Sequence, residues 1–209
     1  FLEGFYDPQL QQMHTQLLDR NALPNTQPYT AAPFNYNGTE TVTTWPEDTV
    51  DWVLAELRTA NNLAHTVARK AFLLRADGQL MGTDGTAGIS FDGVPDGTYH
   101  LAVFHRNHLA VVSAEPVPTD SPNFQYDFTT SENRALGDRQ LKITGQVWAM
   151  RGGDADHNHI VNNQDYNLWT TQQGQSAHYD NYDLNADGQI DANDFQLWRG
   201  NRSKLGQLK

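Results

Sequence analysis

The sequence predicts a mainly β protein: a β-sandwich over residues 1–150, followed by a small α module over 151–209. Three observations point there. Short runs of β-branched and aromatic residues alternate with turn signals through the first 150 residues. The charge then changes abruptly: residues 152–198 hold eight Asp and no Glu, Lys or Arg, most of the net charge of −11. That acidic block also contains one pattern twice, at a constant offset of 29 residues.

The N-terminal run "FLEGFYD", from Phe1 to Asp7, is strand-like. It suits either an edge strand of its own chain or a strand added to a neighbour's sheet. Residues 7–35 carry Pro8, Pro24, Pro28 and Pro33 and no sustained period; "QLQQMHTQLL" is their one short amphipathic piece. Such a stretch is expected either to hide structure that its pattern does not show or to pack over another surface, of this chain or of a second copy. Strands are expected at "TVDWVLAEL" (49–57), "ARKAFLLRA" (68–76), "GISFDGV" (88–94), "TYHLAVFH" (98–105), "LAVVSAEPV" (109–117) and "LKITGQVWAM" (141–150). The turn signals "ADGQ", "TDGT", "VPDGT" and "PTDSP" separate them. Pro46 followed by acids also resembles a helix start, but the alternation of Val50, Trp52 and Leu54 favours a strand with those three on one face. The Gly152–Gly153 pair marks the boundary between the two parts.

The repeat carries chemistry. Asp154, Asp156, Asn158, Asn162 and Asp165 align with Asp183, Asn185, Asp187, Asp191 and Asp194. Oxygen-bearing side chains thus fall at loop positions 1, 3, 5, 9 and 12 in both copies, the ligand spacing of a Ca²⁺ loop. Position 7 offers a backbone carbonyl, from Ile160 and Gln189. Position 8 is apolar, Val161 and Ile190, as two loops pairing back to back require. Position 6 needs a sharp turn, which Gly188 makes without strain; His159 replaces it in the first copy and is expected to weaken that loop. Two Ca²⁺ sites are therefore expected. Mg²⁺ prefers rigid octahedral sites, and the loop oxygens account for the spacing without zinc. His157 and His159 read as exposed loop residues, and His105 and His108 as surface residues at a strand end.

Each loop is followed by "D-aromatic-x-L-W", which predicts a short helix whose Leu-Trp pair packs against its twin. This duplicated loop-then-helix unit with Asp at position 12, covering about 152–199, resembles the dockerin type I repeat. The resemblance implies calcium binding and a cohesin-like protein partner. In that family positions 10 and 11, often a Ser-Thr type pair, help contact the partner; here they are Asn163-Gln164 and Ala192-Asn193. Upstream, "GTAGISFDGVPDGTYHLAVFHRNHLAV" resembles the prealbumin-like or Cna-B-like sandwiches of bacterial surface proteins. Together these resemblances imply the non-catalytic end of a secreted bacterial protein.

Other classes fall away. The acidic charge and absence of a basic stripe argue against nucleic acid. There is no cysteine, so no disulfide or thiolate metal site. No 18-residue apolar run spans a membrane. The start at Phe1, without a signal-like segment, suits a processed chain or a fragment. No nucleophile, zinc-protease or phosphate-loop motif occurs, and Glu3, Glu40, Glu47, Glu56, Glu115 and Glu132 are scattered, so an enzyme is not expected. Two expectations remain. One is an extracellular calcium-binding structural protein that self-assembles into a fibre or layer by adding its Phe1–Asp7 strand to another copy. The other is an anchoring or adhesion module for a cohesin-like protein or a glycan, with Trp45, Trp52, Trp148, Trp169 and Trp198 as candidate stacking platforms.

Overall fold

The computed structural model describes residues 1–119, 125–138, 140–176 and 178–208, so part of the "PTDSP" turn lies outside the described residues. The chain is mainly β. Its central element is one antiparallel sheet in the order β5-β4-β3-β6-β7, with β8 (Val117–Pro118) also paired to β6. The strands are β3 (Thr49–Thr59), β4 (Asn62–Arg75), β5 (Leu80–Met81), β6 (Thr98–His105) and β7 (His108–Val112). The 88–94 run forms turns instead of the expected strand, because Gly88 and Gly93 adopt left-handed backbone that breaks an extended ladder.

Both faces of the sheet are buried. Val53, Ala55, Leu57, Phe72, Leu74, Leu101 and Val103 form one core. Trp52, Leu54, Ala71, Leu73, Ala102 and Phe104 form the other. Burying one such large apolar side chain contributes about 1.5–3 kcal/mol, which is why β3 reads as a nearly unbroken apolar run. Val50 joins the face of Val53, not that of Trp52 and Leu54 as the alternation predicts. The β3–β4 register shifts between Thr49 and Asp51, and such an irregularity turns a side chain to the other face.

The covering layers come from the chain itself. The hairpin β9 (Leu141–Thr144) and β10 (Val147–Met150) brings Leu141 and Met150 to the first core. The N-terminal run joins it there: Leu2 bridges Met150 in parallel, and Leu2 and Phe5 are fully buried. Tyr6 and Asp7 form β1, paired with β2 (Gln12–Met13). The expected free strand at Phe1–Asp7 is thus engaged within its own fold, since its apolar side chains find their burial there. The proline-rich segment crosses to the other core. There Tyr29 is buried and donates its hydroxyl to Trp52 O at 2.7 Å, while Trp52 Nε1 donates to Pro24 O at 2.9 Å. Between these layers lies the one-turn helix α1 (Gln16–Asp19), anchored by buried Leu17.

The last part holds two ten-residue helices, α2 (Asn163–Gln172) and α3 (Ala192–Asn201), which begin inside the two acidic loops as the repeat predicts. Their facing rings form a cluster: Tyr166 lies 5.0 Å from Trp198, and Trp169 lies 5.6 Å from Phe195. Val161, Leu184 and Trp198 pack with Leu109 of β7, a small core shared between the sheet and the helices. No helix is long and apolar enough to cross a membrane, among the described residues.

Candidate metal loops and their buried junction

Residues 154–165 (loop 1) and 183–194 (loop 2) take the same backbone path. Both turn left-handed at positions 4 and 6, His157 and His159 in one, Ala186 and Gly188 in the other. The position-4 turn carries no sequence signal. His159 adopts the bend despite its Cβ, at φ 65°. The acids organise the backbone in both copies. Asp154 Oδ2 accepts from His159 N at 3.2 Å, and Asp183 Oδ2 from Gly188 N at 3.0 Å. At position 12, Asp165 Oδ1 accepts from Ala155 N at 2.9 Å, and Asp194 Oδ1 from Leu184 N at 2.6 Å. Their second oxygens accept from Asn162 N and Asp191 N, closing capping boxes at the starts of α2 and α3. Asn158 and Asp187 serve Ile160 N and Gln189 N in the same way, while the Asn185 and Asp187 side chains meet at 2.8 Å. Asn162 and Asp191 cap their helices with their side chains.

Position 8 does not pair with position 8. Val161 N donates to Lys204 O at 3.0 Å, and Val161 O accepts from Ser203 N at 2.8 Å, beyond α3. Ile190 N donates to Gln175 O, and Ile190 O accepts from Gly174 N, beyond α2. Each loop therefore pairs with the exit of the other repeat's helix. The repeat consequently extends past 199, with Gly174 and Ser203, 29 apart, both left-handed. Ile160 bridges Leu205, and Gln189 bridges Ser176.

The loops differ in electrostatics. Oxygens of Asp154, Asp156 and Asp165 lie within 4.8 Å of one another and could hold a metal ion. Asp154 is 2 % exposed, and its Oδ1 is buried with no hydrogen-bond partner. Burial first, then Asp165 and Asp156, pushes the Asp154 carboxyl up to about 8. Burial likewise lifts Asp165 to about 6 and Asp194 to about 7. Asp183 is raised by burial too, but Arg106 and Arg20 pull it back. Crowded, buried, all-oxygen donors of this kind suit a hard divalent cation, whose charge would remove the cost of keeping them ionised.

A polar junction missed by the sequence reading ties the loops to the sheet. His105 and His108, expected on the surface, are both buried. They flank the tight β6–β7 turn made by Arg106 and Asn107, which contacts both loops. His105 Nε2 lies 3.0 Å from Asp51 Oδ2, and Arg106 Nε donates to the same oxygen at 3.0 Å. Tyr179 donates to Asp51 Oδ1 at 2.7 Å. Burial opposes the Asp51 charge, yet Arg106 and then His105 outweigh it and hold the carboxyl at about 2. His108 Nε2 faces Glu3 O at 2.9 Å, and its Nδ1 lies 3.0 Å from that of His105. Asn107 Nδ2 donates to Asp183 O at 3.0 Å, and Gly153 N donates to Asn107 O at 2.9 Å. Arg106 donates to Asp180 O, and His157 Nε2 contacts Arg106 O. His157 and His159 are half-buried against the sheet, not exposed as expected; desolvation brings His157 down to about 4. Glu3, Lys142 and Asn201 complete a second link from the N-terminus to α3. The one available signal was Asp51, an acid set between Val50 and Trp52 in a largely apolar strand run.

The tryptophans are not open platforms. Trp52, Trp169 and Trp198 are buried, and Trp45 and Trp148 are partly buried against the cores.

No family model matches the sequence, and no curated protein matches it. Among solved structures the chain is similar to chains from two crystal structures of type II cohesin–X–dockerin complexes of Acetivibrio cellulolyticus. One is an N-terminal interface mutant, at 17% identity and TM-score 0.42. The other is a C-terminal interface mutant, at 17% identity and TM-score 0.40. Each match covers 81% of this chain and 92% of the other. Likeness of this size assigns the chain no partner and no activity.

Proposed function

We propose that the chain is a non-catalytic, calcium-stabilised binding module of a secreted bacterial protein, which presents its loop-helix repeat to a protein partner. The observation that carries this reading is the buried, unpartnered Asp154 Oδ1, beside Asp156 and Asp165 oxygens within 4.8 Å. The residues that would hold the ions are Asp154, Asp156, Asn158, Ile160, Asn162 and Asp165, and Asp183, Asn185, Asp187, Gln189, Asp191 and Asp194. Ca²⁺ supplies the charge that crowded carboxylates lack. The chain's own residues hold the loops bent and tie them to the sheet through Asn107 and Arg106.

The anchoring reading is favoured over self-assembly by strand addition because Phe1–Asp7 is engaged within its own fold. Positions 10 and 11, by contrast, are exposed: Asn163, Gln164, Ala192 and Asn193 lie at the starts of the two helices. Calorimetric titration with Ca²⁺ should give two binding events, and chelation should lower the melting temperature. Heat absent from that titration, with unchanged melting in chelator, removes the calcium reading. Sedimentation in calcium should show monomers; calcium-dependent polymers would restore the self-assembly reading.

A further inference from the structure

Loop 2 already holds a positive charge. Arg20, at the end of α1, reaches across 163 residues of sequence to place its guanidinium in that loop. Nη2 lies 3.7 Å from Asp183 Oδ2 and donates to Ala186 O at 2.9 Å, inside the loop. Its seat lies directly over Gly188: a Cβ there would stand 1.4 Å from Nη1. In loop 1 that position is His159, whose ring lies beside Phe104. The glycine therefore does more than make the bend, since His159 makes the same bend without one. It leaves room for the arginine.

We propose that Arg20 is the built-in counter-cation of loop 2. A divalent ion binds there only by displacing it, so the loops fill in order, loop 1 first. This rests on the calcium reading above. Two features make the displacement feasible. Arg20 is 32% exposed, so its charge can swing into water. Its remaining tie, Nε to Gln16 O at 3.2 Å, lies within α1 and does not depend on the loop. Ion entry into loop 2 thus also breaks the Arg20 tie between α1 and the repeat, coupling the N-terminal segment to the second binding event.

The test is Ca²⁺ calorimetry on the full chain, on Arg20→Gln, on Asp154→Asn and on the double variant. The native chain should show one tighter and one weaker event. Arg20→Gln should tighten the weaker one about three- to tenfold, the scale of removing one partly exposed ion pair. Asp154→Asn should silence loop 1, leaving a single event that Arg20→Gln tightens by the same factor. Melting separates displacement from a purely structural role, which would lower the melting temperature in both conditions: Arg20→Gln should lower it in chelator and leave it unchanged in saturating Ca²⁺. If calcium binds but Arg20→Gln leaves loop 2 unchanged or weaker, the inference is overturned and the calcium reading stands. Calcium binding to none of the four proteins overturns both.

Discussion

Loops 154–165 and 183–194 follow one backbone path, yet they solve the repulsion among their acids differently. In loop 2 both oxygens of Asp183 accept backbone hydrogen bonds, and the guanidinium of Arg20 stands beside them. In loop 1 Asp154 keeps one buried oxygen without a hydrogen-bond partner. A repeat therefore conserves geometry more readily than charge balance. Geometry is set by hydrogen bonds between near neighbours, whereas charge balance depends on what the rest of the fold brings alongside.

The sharpest way to break this comparison is to remove the leading acid of each loop. Asp154→Asn should weaken Ca²⁺ binding by loop 1 by more than the roughly 10–100-fold that outer-sphere changes cost. The same change should raise the melting temperature in chelator at pH 8, because it deletes a buried charge the fold holds at a loss. Asp183→Asn should give no such gain, since it also strips Arg20 of its partner. Equal chelator melts for the two variants would erase the difference between the loops.

Next in size is the dependence on pH. The Asp154 carboxyl rises from 3.8 to about 8 on folding, and Asp194 to about 7. Burial holds His105, His108, His157 and His159 below the usual 6.5, so they oppose this effect at lower pH; above 6.5 the two carboxyls bind protons that the unfolded chain has released, and stability without calcium should fall as pH rises from about 6.5 to 8. Calcium, which needs the ionised acids, should reverse the slope. Melting curves at pH 6.5 and pH 8, with and without chelator, read both signs. A calcium-free chain more stable at pH 8 would contradict the crowding in the loops.

The smallest effect should come from His159→Gly. It relieves a left-handed non-glycine residue, worth about 1 kcal/mol, and should tighten loop 1 by up to about fivefold. The gain is limited because His159 also packs beside Phe104, ring centroids 6.3 Å apart. Unchanged calorimetry in loop 1 would mean that lost packing offsets the relieved backbone.

Much of this was legible in the residues. β6 runs over Thr98–His105, the stretch expected, because its aromatic and β-branched residues lie between turn signals. The oxygen spacing located both loops, and the repeated "D-aromatic-x-L-W" located both helices. The errors share a cause. Val50 faces the other way because a register shift depends on the partner strand β4. Val161 and Ile190 pair with helix exits whose sequences, Ser203–Lys204 and Gly174–Gln175, share no residue. His105 and His108 read as surface residues at a strand end until Asp51, 54 positions before His105, is brought against that histidine.

By itself, then, the sequence determined the β character, the duplicated loops and the residues that line them. Each of these depends on side-chain chemistry at spacings of a dozen residues or fewer, or on a recurring copy of such a spacing. Only the tertiary structure decided that the terminal strand stays home, that the His105–His108 pair is buried, and that Arg20 reaches one loop while one Asp154 oxygen is left without a hydrogen-bond partner in the other. Those outcomes follow from burial, which strengthens every charge interaction, and burial exists only once distant segments have packed.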